Sequence, residues 1–152
     1  MNSDFLLLSL GSNVGDREFY LKAAVEDLSL ELGPVITSSS ITETIPEGVD
    51  SHPAYLNRIL AFATSFEANE IHAITRKIED RYGRTDKGLL QPRTLDIDIL
   101  AIGNQMHNTD TLTIPHKSLH LRKFILEPLK DFFPEWRHPS LNMVAEEMLA
   151  LL

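Results

Sequence analysis

Two aspartates, Asp96 and Asp98, lie in the stretch QPRTLDIDIL, Gln91 to Leu100, with Arg93 just ahead of them. The stretch reads as a β-strand, which turns both aspartates to one side and Leu95, Ile97 and Ile99 to the other. Their Cα atoms then stand roughly 6.5–7 Å apart. Carboxylates that close repel each other, and any burial raises the cost. One reading is a solvent-exposed face whose carboxylates are simply solvated. Aspartate is depleted in strands, however, and a solvated face more naturally carries Thr, Lys or Glu. The other reading is that the pair converges on hard cations. Mg²⁺ takes oxygen ligands and is commonly held by one or two carboxylates plus substrate phosphates. Two such ions clamp a polyphosphate for in-line displacement.

Further cationic groups stand nearby in sequence. Arg84 and Arg93 bracket the preceding loop, and the guanidinium fork suits phosphate oxygens. His116 and Arg122 fall in IPHKSLHLRKF, an extended-to-helix transition suited to anion contacts. Plainer roles exist for each: surface ion pairs for Arg84 and Arg122, a helix cap for His116, and solvated ends for Lys117 and Lys123. The chain has no Gly-x-x-x-x-Gly-Lys-Ser/Thr loop, Gly-x-Ser-x-Gly elbow or His-Glu-x-x-His pair. P-loop, hydrolase-triad and zincin chemistry therefore have no support.

These residues need a scaffold, and hydrophobic periodicity supplies one. A first strand spans Phe5 to Leu10 and ends in Gly11-Ser12-Asn13. A helix follows from about Asp16 to Leu32, with Leu21, Val25, Leu28 and Leu32 on one face and Gly33-Pro34 as its stop. Val35 to Thr44 suits a second strand, and Tyr55 to Phe66 a third. Ala68 to Tyr82 reads as a second helix through Ile71, Ile74 and Ile78. The Asp96/Asp98 strand comes next, running to Gly103. A helix is expected near Leu119 to Phe132, and a last short one over Ser140 to Leu152. The order β-α-β-β-α-β followed by helices predicts an α+β, ferredoxin-like fold, an antiparallel sheet with helices packed on one face plus additional C-terminal helices.

One domain over 1–152 is the simplest division of 152 residues. The chain is 43% hydrophobic and 24% charged, as in ordinary globular proteins. A formal net charge of −8 disfavours tracking along a nucleic acid. The absence of cysteine excludes disulfides, zinc–thiolate sites and thiol catalysis. The opening MNSDFLLLSLGSN lacks a basic leader region and is too short to span a membrane. A cytoplasmic monomer acting on small molecules, without nucleic-acid or membrane partners, is expected.

Gly11-Ser12-Asn13, Tyr55-Leu56-Asn57, Gly83-Arg84, Pro92-Arg93-Thr94-Leu95-Asp96-Ile97-Asp98, and Ile114-Pro115-His116 with Arg122 and Phe124 resemble, in order, one family. It is 6-hydroxymethyl-7,8-dihydropterin pyrophosphokinase, of folate biosynthesis. The resemblance spans about Phe5 to Pro139. It implies transfer of pyrophosphate from ATP to the pterin hydroxymethyl group, with release of AMP. It further implies two Mg²⁺ ions on Asp96 and Asp98, with Arg84 and Arg93 at the mobile loop and its end. Glu79, Ile99, His116 and Arg122 match positions around ATP. Thr44, Tyr55, Asn57 and Phe124 match positions around the pterin. A flat heterocycle with polar edges wants aromatic faces and an amide, which suits these types; as plain residues, Phe124 could be core and Tyr55 an ordinary strand position.

The loop GRTDKGLLQP departs from the family. Thr85-Asp86-Lys87 stand where a second arginine is usual, and Leu90-Gln91 replace Trp-Gly. Lys87 offers a point charge rather than a fork. Ile45-Pro46-Glu47 departs from the usual Pro-rich run and adds an acid near the pterin side. A pterin- or nucleotide-binding relative with impaired catalysis is therefore the alternative to a working pyrophosphokinase. A metal-dependent phosphodiesterase using the same aspartates lacks an identifiable water-activating base.

Overall fold

Every residue of β1 (Phe5–Ser12), FLLLSLGS, is buried. A strand covered on both faces needs apolar side chains on both, and this leucine run supplies them. The computed structural model describes residues 5–45, 54–83 and 94–152. From β1 the chain passes through α1 (Arg17–Leu32), β2 (Val35–Ser38), β3 (Thr42–Thr44), β4 (Tyr55–Ala63), α2 (Ala68–Arg81) and β5 (Asp96–Ile102). A small hairpin of β6 (His107–Asn108) and β7 (Thr113–Ile114) follows. A single 3₁₀ turn over Leu119–Leu121 then leads into α3 (Lys123–Phe132) and α4 (Ala145–Ala150). The main sheet has the order β2-β4-β1-β5, with β3 also on β4 and every pairing antiparallel. The class is α+β.

The helices cover both faces of the sheet, which corrects the expected single helical layer. Leu6, Leu8 and Leu10 of β1 pack with Leu21, Ala24 and Leu28 of α1 and Ile71 and Ile78 of α2. On the reverse face Phe5 and Leu7 meet Ile125, Leu126 and Leu129 of α3 and Ala145 and Met148 of α4. The cause is the two-sided apolarity of β1: neither set of leucines could be left in water, at roughly 1.5–3 kcal/mol per side chain. Trp136 is fully buried in this second core and donates from Nε1 to the Gly103 carbonyl at 2.8 Å. Phe5 stacks on Phe133 at 4.2 Å between ring centroids.

The expected single strand over Val35 to Thr44 is two short ones. Ser39 interrupts it: its N–H donates to the Ile59 carbonyl while its Oγ accepts the Ile59 N–H. The Arg58 guanidinium adds bonds to Ser38 Oγ and the Ser39 carbonyl. Serine hydroxyls that satisfy backbone groups compete with the regular ladder, and here they divide it. The α1 boundary comes from Asp16, which accepts the Phe19 N–H at 3.1 Å as N-cap. The expected C-terminal helices are shorter than predicted. Arg122 has extended dihedrals between the 3₁₀ turn and α3, and the last helix starts only at Ala145.

Replacing Trp136 by Phe keeps the ring and removes the donor, leaving the buried Gly103 carbonyl without it. The variant is expected to lose about 1–3 kcal/mol of stability in urea denaturation; a loss below about 0.5 kcal/mol would show that this bond does not tie β5 to the second core.

Candidate active site

The antiparallel registers bring residues distant in sequence into two rows. Gly11 pairs with Asn57 on one side and Asp96 on the other; Ser9 pairs with Ile59 and Asp98. Strand alternation puts Gly11, Asn57, Tyr55, Asp96 and Asp98 on the face that α3 and α4 cover farther along. Ile97 and Ile99 are buried on the opposite face. Asp96 and Asp98 are each half-buried, neither in the core nor freely solvated.

Gly11 is what allows the row to close up. A Cβ there would lie 3.3 Å from Tyr55 Cδ1 and 3.6 Å from Asn57 Oδ1. The Tyr55 ring thus lies against bare backbone beside the Asn57 amide. Asn57 is buried, and its Nδ2 donates to Thr44 Oγ1 at 2.7 Å and to the Thr42 carbonyl at 3.3 Å. Those two bonds orient the amide and turn its oxygen toward Gly11. Phe124, half-buried, packs at the margin of the second core. Thr44, Tyr55 and Asn57 form one contiguous group.

Glu79, on α2, is fully buried, and its Oε2 accepts the Ile97 N–H at 2.8 Å. Ile97 lies between the two aspartates on β5, the terminal strand of the sheet. Its amide points away from β1 and takes a carboxylate partner on the edge where, among the described residues, no strand pairs. The end of α2 is joined to this strand a second time, by Thr94 Oγ1 donating to the Tyr82 carbonyl. The backbone carrying both aspartates is therefore fixed from both sides, by β1 and by α2.

His116 follows the cis Ile114–Pro115 bond, and its N–H donates to the Leu100 carbonyl at 2.9 Å, which attaches this segment to β5. Its Nδ1 accepts the Ser118 N–H at 3.1 Å. In the neutral imidazole the proton therefore sits on Nε2, making that nitrogen a donor. Burial holds its pKa below the ordinary value, assisted by Arg122 and Lys117 and opposed by Asp96. His116 thus senses both Arg122 and Asp96 electrostatically. Ile99 is buried in the other layer, so a ligand on the aspartate face meets it only through its main chain. Arg84 and Arg93 lie outside the described residues, as do Thr85 to Gln91 and Pro46-Glu47.

Among the described residues no cluster of three or more His, Cys, Asp or Glu forms a closed metal cage. Two carboxylates on one strand face instead suit a hard cation that completes its shell with water and phosphate oxygens. The sequence had singled out the Asp pair, His116 and Arg122. It had not revealed the Glu79–Ile97 bond, which joins residues 18 apart. The only sequence hint was an acid near the end of an amphipathic helix.

Glu79→Ala should raise the hydrogen-exchange rate of the Ile97 amide by the equivalent of about 1.5–3 kcal/mol, whereas Glu79→Gln, which keeps an acceptor, should stay near wild type. Equal exchange in all three proteins would remove Glu79 as the partner. For His116 the folded pKa lies below the unfolded one, so the unfolded state protonates first as pH falls. Its neutral form contributes stability that is fully present above about 6.5 and is lost as pH drops below that value. NMR titration should show the imidazole protonating below 6.5, and His116→Gln should flatten the acid side of the stability profile.

Comparison with known proteins identifies the family. Residues 7–134 match the family model described as 7,8-dihydro-6-hydroxymethylpterin-pyrophosphokinase. The 2-amino-4-hydroxy-6-hydroxymethyldihydropteridine pyrophosphokinase of Bacillus subtilis strain 168 is 38% identical over 125 residues, covering 82% of this chain and 75% of that protein. The protein of the same name from Porphyromonas gingivalis is 39% identical over 138 residues, covering 88% of this chain and 92% of its own. Among solved structures, wild-type Plasmodium falciparum HPPK-DHPS has the same fold, with a TM-score of 0.74 at 16% identity. That match covers 97% of this chain but 44% of the longer one, so the chain spans less than half of that protein. With the match extending from β1 to the residues just after α3, the chain belongs to the 7,8-dihydro-6-hydroxymethylpterin-pyrophosphokinase family.

Proposed function

We propose that this chain is a 2-amino-4-hydroxy-6-hydroxymethyldihydropteridine diphosphokinase, transferring pyrophosphate from ATP to 6-hydroxymethyl-7,8-dihydropterin in folate biosynthesis. The observation that carries the reading is the placement of Asp96 and Asp98 on the same sheet face as Tyr55 and Asn57, with Asn57 and Asp96 in one row through Gly11. An anion site and an edge-reading amide then adjoin, as transfer between a polyphosphate and a heterocycle requires. The order β2-β4-β1-β5, with β2 and β3 counted as one interrupted strand, supports a ferredoxin-like description of the core.

In the transfer, the pterin hydroxymethyl oxygen attacks the β-phosphorus of ATP. The bond from that phosphorus to the α,β-bridging oxygen breaks, AMP leaves, and the hydroxyl proton is lost. Asp96 and Asp98 would hold Mg²⁺, which would supply neutralisation of phosphate charge there. His116 offers its Nε2–H, and Arg122 its guanidinium, to phosphate or ribose oxygens. Asn57 reads the pterin edge with its amide oxygen, and Tyr55 and Phe124 flank the ring. Arg84 and Arg93 contribute charge on the phosphates. No protein general base is needed where positioning and charge neutralisation carry the barrier reduction, as in phosphoryl-type transfers generally.

Purified protein with ATP, Mg²⁺ and 6-hydroxymethyl-7,8-dihydropterin should release AMP, and chelation of the metal should stop it. Release of ADP would overturn the reaction, and absence of pterin-dependent turnover with binding retained would favour the binding-protein alternative. Asp98→Ala should lower turnover by roughly 10²-fold or more, in the range of other electrostatic deletions, while the urea midpoint falls little or rises as the repulsion between the two carboxylates is relieved. Unfolding of this variant would instead assign Asp98 a structural role.

A further inference from the structure

Arg17 opens α1 directly after its N-cap, and its guanidinium reaches away from the helix to two strand ends at once. Nη1 donates to Glu43 Oε2 at 3.0 Å and to the Ala54 carbonyl at 2.8 Å. Glu43 is the middle residue of β3, and Ala54 immediately precedes β4. In the ladder between those strands Glu43 pairs with Leu56, and Thr44 with Tyr55. One nitrogen therefore spans the pair of strands beside the residues proposed to face the pterin.

β3 needs such a tie. It has three residues, Thr42 and Glu43 exposed and Thr44 half-buried, so no side chain anchors it in either core. A strand that buries nothing is weakly specified in register and position. Its polar attachments must do this instead: the ladder to β4, the Asn57 amide on Thr42 and Thr44, and the Arg17 guanidinium. A shift of β3 displaces the Thr44 hydroxyl, on which the orientation of the Asn57 amide depends. A shift of Ala54 displaces the following residue, Tyr55, whose ring rests against Gly11. The start of α1 is itself fixed, because the Asp16 cap holds the Phe19 amide.

We infer that Arg17 is a positioning residue for the pterin: it touches no substrate, but sets β3 and the start of β4 so that Thr44, Tyr55 and Asn57 present one rigid surface. The inference rests on the proposed function above. The Glu43 carboxylate is more than half exposed, at 58%, so the ion pair alone contributes little; the part-buried bond to the Ala54 carbonyl is the stronger tie.

The test compares Arg17→Met, Arg17→Lys and Glu43→Gln with wild type, measuring dissociation constants for pterin and for ATP separately, together with amide exchange in β3. Arg17→Met should weaken pterin binding about tenfold with ATP binding within twofold, and should speed exchange in β3. Arg17→Lys, a single donor head, should recover part of the loss. Glu43→Gln, which leaves the Ala54 bond, should show a smaller rise. Unchanged pterin binding in Arg17→Met, or equal weakening of both ligands, would overturn the inference and leave an ordinary surface clasp. If wild-type protein binds no pterin, the proposed function fails, and β3 exchange still decides Arg17: unchanged exchange in Arg17→Met would end its positioning role.

Discussion

Burial of β1 on both faces and along both edges is the constraint from which the rest of the molecule follows. Because β4 and β5 both pair with it antiparallel, one residue of β1 fixes one residue of each neighbour. Gly11 thereby selects Asn57 and Asp96 as the ends of one row. A one-residue slip of β4 or β5 against β1 would turn its member of that row to the opposite face and carry Leu60 and Phe62, or Ile97 and Ile99, out of the first core. The energy that fills two apolar layers is thus the same energy that sets the register of the site. α3 and α4 pack at the Phe5 and Leu7 end of the second face.

Two carboxylates on adjacent same-face positions oppose that arrangement, and the fold answers with rigidity rather than separation. β5 is hydrogen-bonded to β1 on one edge and receives the buried Glu79 carboxylate on the other, at the residue between the aspartates. A buried acid is expensive unless hydrogen-bonded, and here the backbone amide that needs a partner is available to it. Relaxation of Asp96 and Asp98 by local unwinding of the strand would break the Glu79–Ile97 bond. The proposed cation would therefore meet two carboxylates already held in place on one strand face.

How much of this was legible in the sequence depended on the range of the interaction. The shared face of Asp96 and Asp98 follows from alternation alone, and the α1 start from Asp16 standing before an apolar-periodic run. The two-strand split around Ser39 was hidden because serine is compatible with a strand, and its bond to Ile59 crosses 20 residues. The second helical layer was missed because a run of leucines does not say how many faces are covered. Arg17 gave no signal at all, since its partners lie 26 and 37 residues away. Gly11 was visible as a motif, but its reason, the Tyr55 ring against it, exists only once β4 is paired.

Charge decides what the remaining groups must do. The chain carries a formal net charge of −8, so its overall field opposes the approach of a nucleotide polyphosphate. Asp96 and Asp98 add to that opposition at the site itself. His116 does not offset it near neutral pH, because burial and the neighbouring Arg122 and Lys117 hold its pKa low and keep it an uncharged donor. A neutral donor discriminates by direction, whereas a charge attracts at range. In the proposed reaction, attraction would therefore come from arginine and from cations on the aspartates, with His116 left to fix orientation. On the proposed reading, the aspartate pair serves the reaction only with its metal: without a cation it would repel ATP, and with one it would hold the phosphates.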